Sequence, residues 1–254
     1  MNRKILIRLA AIGLLFFTIL SNAHSSMIQQ YFDLGNSAYK EGKYEEAIEN
    51  YEKVSDSGLE SGNIYYNLGN SYFKKGKSGK AVFNYEKAFF FMPSDNDLMS
   101  NYEYVLASLN LDLQYFGTWP VRFANVLFEG ATIDLLTVLL SAIYFLAVAL
   151  LICSLFFPGL KRGINVFLLF LSVVFALSAV SLNSKITYLN KGAIVISKVA
   201  DARFEPTESG TTYFKLTEGG KVEILEKNEN WYKIKRPDNK MGWVQKTDVG
   251  SLSE

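Results

Sequence analysis

The feature that most constrains this chain is an internal repeat. The stretch "LGNSAYKEGK" begins at Leu34 and "LGNSYFKKGK" begins at Leu68, an offset of 34 residues. Aligning residues 31–54 with 65–88 matches 13 of 24 positions, among them Leu34/Leu68, Gly35/Gly69, Gly42/Gly76, Ala47/Ala81 and Tyr51/Tyr85. Each copy carries two apolar-periodic stretches broken at Gly42 or Gly76, which is the pattern of two helices joined by a turn. A unit of this size cannot bury its apolar face alone, so copies stack, and two copies leave an open end. "NDLMSNYEYVLASLNLDL" places Leu98, Tyr102, Val105, Leu106 and Leu109 at helical spacing and is expected to cap that end. Residues 27–115 are therefore expected to form an all-α domain, with units at 31–64 and 65–98.

The remaining apolar residues are concentrated in three runs. Residues 135–157 contain 23 positions without a charge, about 34 Å of helix at 1.5 Å per residue, enough to cross a hydrocarbon core of about 30 Å with some tilt. Residues 166–182 are also uncharged, and "PGLKRGIN" between the two runs breaks the helix. This predicts a transmembrane helical hairpin with spans at 133–157 and 164–183 and a turn at 158–163. Lys161 and Arg162 make that turn basic, so it is expected to be cytoplasmic, with both flanks exported. The third run, "ILIRLAAIGLLFFTIL", follows Arg3 and Lys4 and ends in "SNAHSS". It reads as a signal peptide over 1–23 with cleavage after Ala23, the alternative being an uncleaved anchor of the same sidedness. Trp119 and Tyr188 suit interfacial positions, and 116–132 is expected to be an interfacial linker.

Beyond Asn190 the pattern becomes short runs of β-branched and aromatic residues separated by Gly, Pro, Asn and Asp turns, which predicts a small all-β barrel or sandwich over 190–250.

Several classes of function are poorly served by this composition. A net charge of +1 without a basic stripe argues against nucleic acid as a partner. The single cysteine, Cys153, lies inside the first span and excludes an internal disulfide, and no Cys or His cluster offers metal ligands. His24 is the only histidine, so Ser-His or Cys-His chemistry lacks its base. The expectation is a protein that is not an enzyme and uses no cofactor.

Two modules resemble known families. The paired units resemble the tetratricopeptide repeat (TPR), with Pro93 of "FMPSD" closing the second unit as that family does, whereas the first ends in "SDSGLESG" without a proline. That resemblance implies a superhelix whose first helices line a peptide-binding groove. Asn36 and Asn70 stand where some relatives hold a terminal carboxylate, with Tyr39 and Phe73 on the same helices. The basic partners of such a clamp are replaced by Phe32, Ser100 and Tyr104, which favours Asn36 and Asn70 as ordinary repeat positions. "DARFEPTESG", "EGGKVEIL", "NWYKIK" and "PDNKMGWVQ" occur in the order found in the bacterial SH3-like module. Its candidate aromatic groove is Phe204, Tyr213, Trp231, Tyr232 and Trp243, suited to a Pro-rich or cell-wall peptide, although Trp231 and Trp243 equally suit a small core.

The full order of signal peptide, repeats, hairpin and SH3-like barrel resembles the repeat-containing membrane proteins of the bacterial aerotolerance (Bat) operon. That resemblance implies a two-pass protein of the bacterial inner membrane with both soluble domains exported. It also implies a non-catalytic scaffold, working with von Willebrand A-type membrane proteins and a MoxR-type ATPase in stress or oxygen tolerance. The alternative is a protein that binds or senses peptidoglycan.

Overall fold

The computed structural model describes residues 26–112 and 118–253; the expected signal peptide lies outside them. The described residues form three parts in sequence order: a helical array, a long apolar helical hairpin and an all-β domain.

The array contains α1 (described over 26–40), α2 (Tyr44–Ser55), α3 (Gly62–Lys74), α4 (Ser78–Phe91) and α5 (Asn96–Ser108). Gly42 at φ 75° and Gly76 at φ 71° close the turns within the two units, a left-handed conformation that a side chain would strain. Asp95 caps α5 by accepting a hydrogen bond from the Leu98 amide at 2.8 Å. The core follows the repeat: Ala47, Ala81, Tyr51 and Tyr85 are all buried, and Leu98, Tyr102, Val105 and Leu106 of α5 cover the second unit. Gly35 and Gly69 let the tyrosines in, since a Cβ on Gly35 would fall 2.6 Å from Tyr51 and one on Gly69 would fall 2.5 Å from Tyr85. Stacking explains a difference between equivalent leucines. Leu68 is 3% exposed beneath the first unit, whereas Leu34 is 44% exposed on the outer face of α1.

After α6 (Trp119–Leu127), helices α7 (Ile133–Phe156) and α8 (Lys161–Lys191) form the hairpin around a short 3-10 turn, Pro158–Leu160. Leu136 and Ile143 of α7, and Ile164, Leu171 and Ser178 of α8, are buried at seven-residue intervals, the seam of two nearly antiparallel helices. Ser178 and Ser181 are wholly buried and small enough for the backbones to approach. Only 11% and 17% of the most apolar windows are buried, so these helices present apolar side chains outward on most of their surface and are long enough to cross a membrane. Helix α8 continues past residue 183 to Lys191, so the stretch between the second apolar run and the β domain is helix.

Strands β1 (Gly192–Val195), β2 (Val199–Arg203), β3 (Thr212–Thr217), β4 (Lys221–Lys227), β5 (Trp231–Lys235), β6 (Met241–Gln245) and β7 (Val249–Ser251) form one sheet in the order β3-β2-β6-β5-β4-β1-β7. Every described pairing is antiparallel. Inward residues from all seven strands meet in one core, including Val195, Ala202, Leu216, Ile224, Tyr232, Val244 and Val249, so the sheet curls round on itself as a small barrel.

The barrel is packed against the array. Ile194 and Leu252 belong to the helical core, a Cβ on Gly79 would meet the Val195 carbonyl at 2.7 Å, and one on Gly250 would meet the Phe83 ring at 2.8 Å. The Gly79 amide donates to Glu218 Oε1 at 2.7 Å. The open end of the two-unit stack is thus covered by α5 and by the edge of the barrel together, of which the sequence indicated only the helix.

Candidate functional site

Two solvent-facing aromatic surfaces and one buried polar junction stand out. The first surface is built by α1, α3 and α5, the first helix of each unit and the cap. On its floor runs a ladder of amides and phenols. Tyr51 Oη donates to Asn36 Oδ1 at 2.8 Å, and Asn67 Nδ2 donates to the same oxygen at 3.2 Å. One unit later Tyr85 Oη donates to Asn70 Oδ1 at 2.7 Å and Asn101 Nδ2 donates to it at 3.0 Å. Asn36 and Asn70 therefore hold adjacent helices in register through their oxygens, and what each amide retains for a ligand is its Nδ2 donor.

Above this ladder the surface is aromatic. Tyr39 stacks edge-on against Tyr44 at 5.4 Å, and burial together with the neighbouring Tyr44 and Tyr66 phenols raises its pKa. Phe73 meets Tyr104 edge to face at 5.7 Å, and Tyr104 is 66% exposed. Phe32 packs on Tyr51 at 6.0 Å and Ser100 bonds the Asn96 carbonyl at 2.8 Å, so neither position brings a cation to the groove. The arrangement can cradle an apolar or aromatic extended segment and offer it amide donors.

The second surface lies on the barrel. Arg203 Nη1 donates to the carbonyl oxygens of Gly210, at 3.2 Å, and Glu208, fixing the 204–211 loop. At the base of that loop Phe204 and Tyr213 stack at 4.5 Å with 59% and 46% of their surface exposed. Trp231 and Tyr232, on opposite faces of β5, are 8% and 2% exposed. Tyr232 fills the barrel core, while Trp231 lies under the Arg203 guanidinium at 5.8 Å. Trp243 is half-buried with the Lys233 ammonium over it at 5.7 Å. The structure brings Phe204 and Tyr213 together as a surface platform and buries Trp231 and Tyr232 as packing residues on the two faces of β5.

The junction centres on Glu86 of α4, only 4% exposed. Its Oε1 pairs with Lys221 Nζ of β4 at 2.5 Å and accepts from Tyr102 Oη of α5. Its Oε2 accepts from Tyr188 Oη of α8 at 3.1 Å. One carboxylate thus ties the array, the apolar hairpin and the barrel. The sequence shows Glu86 only as the repeat equivalent of Glu52, which among the described residues bonds Tyr72 Oη rather than a barrel side chain; the difference arises from a strand more than a hundred residues away.

Comparison with known families agrees with this division. Residues 35–76 match the TPR repeat, and residues 198–250 match the bacterial SH3 domain. A search of curated proteins found no match. The chain combines a tetratricopeptide module and a bacterial SH3 module around two helices long enough to cross a membrane. Both modules are of a kind that serves protein–protein interaction or cell-wall binding rather than catalysis.

Proposed function

We propose that this chain is a two-pass scaffold of the bacterial inner membrane whose exported repeats and barrel hold segments of partner proteins. The observation that carries the reading is the Glu86 junction, which fixes two interaction modules at one end of the apolar hairpin. Fixed together, each module raises the effective concentration of the other's ligand. The basic turn at Lys161 and Arg162 supports placement of both modules on the exported side. The module order supports a BatE-like role, in a Bat-type complex with other exported membrane proteins in aerotolerance or stress. Asn36, Asn70, Tyr39 and Phe73 form the groove in this reading, and the Phe204–Tyr213 platform forms a second contact.

The test is affinity capture of the full-length protein from solubilised membranes beside Tyr104→Ala, an exposed change in the groove. Loss of defined membrane partners with the variant supports the scaffold; an unchanged partner set removes the groove from the account. A second reading is favoured by the exposed Phe204–Tyr213 stack, an aromatic platform on a bacterial SH3 module: binding of peptidoglycan. Sedimentation with purified cell wall that is lost in Phe204→Ala supports that reading.

A further inference from the structure

Where α8 leaves the apolar hairpin, a cavity of about 120 Å³ lies between it, the α6–α7 junction and helices α4 and α5. Phe89, Phe90, Met99 and Ile133 give it an apolar wall. Its size is a little below the roughly 150 Å³ that admits a benzene ring, so it takes a small headgroup and not a whole amphiphile.

Three observations define what fits. First, the ionic groups of the lining balance: Glu86 and Glu129 against Lys185 and Lys221. A ligand of net charge would be left uncompensated in a partly desolvated site, so the ligand is neutral or zwitterionic. Second, Asn125 Nδ2 donates to Ser184 Oγ at 3.0 Å, while its Oδ1 is buried without a hydrogen-bond partner among the described residues. An orphaned buried acceptor calls for a donor. Third, the cavity is at bilayer-surface height in the proposed topology, because its lining includes Ile133, the first residue of α7, and Lys185, beyond the second apolar run. Lys185 Nζ there donates to the carbonyl oxygens of Phe128, Glu129 and Ala131 at 3.1, 3.2 and 2.5 Å, pinning the end of α6. Helix α6, which packs against α8, exposes Trp119, Phe123 and Val126 as an apolar face.

We propose that this cavity binds the ethanolamine headgroup of a zwitterionic phospholipid from the outer leaflet, its ammonium donating to Asn125 Oδ1 and its chains lying in the bilayer beside α6. The proposal rests on the membrane-hairpin reading. The experiment offers full-length protein an equal mixture of phosphatidylethanolamine and phosphatidylcholine with identical chains in nanodiscs, and counts retained lipids by native mass spectrometry. The two headgroups differ in having or lacking ammonium N–H donors.

The expected result is about tenfold preference for ethanolamine, one hydrogen bond's worth of discrimination. That preference is expected to vanish in Asn125→Leu and, from the opposite wall, in the cavity-filling Met99→Trp, and to survive in Asn125→Asp. Equal retention of both lipids by the unaltered protein, or a preference that persists in both Asn125→Leu and Met99→Trp, overturns the proposal. A parallel alkaline carbonate extraction separates the two failures: release of the protein from membranes overturns the hairpin reading, whereas retention with no lipid preference overturns the headgroup site alone.

Discussion

Replacing Gly69 by alanine tests why the repeat combines glycine and tyrosine. In an ordinary helix interior the change is favourable by about 1 kcal/mol, because alanine loses less backbone entropy. Here the new Cβ would lie 2.5 Å from Tyr85 Cε1 and 2.6 Å from Cδ1, well inside van der Waals contact. The ring has little room to retreat, since its hydroxyl is held by Asn70 at 2.7 Å and it packs against Tyr66 and Tyr102 at centroid distances of 6.2 and 6.1 Å. Overpacking of this kind costs about 1–3 kcal/mol, so the net change is a loss of about 0–2 kcal/mol. In a Tyr85→Leu background the clash is gone and only the propensity gain remains, so the same substitution stabilises by up to about 1 kcal/mol. The assay is hydrogen exchange of α3 and α4 amides in full-length protein in detergent, which reads the stability of the array separately from the hairpin. Gly69→Ala that stabilises both backgrounds, or a coupling below about 0.3 kcal/mol, refutes the packing argument.

Other outcomes follow from the same geometry. Lys221→Met leaves Glu86 buried without its cation and is expected to cost about 3–5 kcal/mol in the thermal unfolding of the full chain; adding Glu86→Leu should recover only part of it, because the Tyr102 and Tyr188 hydroxyls then lose this acceptor. The Tyr51 and Tyr65 phenols are pushed up to about 12, mainly by burial. A pKa raised on folding gives stability that is intact below the ordinary tyrosine value of about 10 and is lost as pH climbs through the folded value. Ultraviolet phenolate absorbance should therefore show late-titrating tyrosines whose ionisation coincides with loss of helix above about pH 10; ionisation of every tyrosine near 10 with the helices intact would contradict this. Tyr104→Ala, at an exposed position, is expected to change array stability by no more than about 0.5 kcal/mol in the same exchange measurement, so that any loss of partner capture reports on the groove.

The repeat, the two apolar runs and the strand-rich end were legible because each depends on local periodicity: a glycine and a tyrosine one hairpin apart, an absence of charge, and runs of β-branched residues between turns. The contacts that join the modules were not. Glu86 sits in "NYEKA" exactly as Glu52 sits in "NYEKV", and the first-unit segment "KYEEAIENYEK" reads as a solvated face. Lys221, which decides the fate of Glu86, looks in the sequence like any strand-edge lysine. Tyr188 looks like an interfacial anchor, yet its hydroxyl is bonded to Glu86. Trp231 and Phe204 show the same limit on the barrel, since aromatic content identifies a module but only the folded strands show that Trp231 is buried under Arg203 while Phe204 is exposed against Tyr213.

Helix α8 ends at Lys191 and β1 begins at Gly192, whose Cβ would strike the Tyr188 carbonyl at 2.5 Å, so no slack separates the apolar shaft from the barrel it carries. Each residue of an α-helix turns the chain by about 100° and lifts it by about 1.5 Å. A single amino acid gained or lost between Ser184 and Tyr188 would therefore swing the barrel by more than a quarter turn and carry Lys221 away from Glu86. The phase of the shaft is a fixed dimension of this molecule, and any rotation or piston movement of the hairpin would reach the barrel and the helical array undamped.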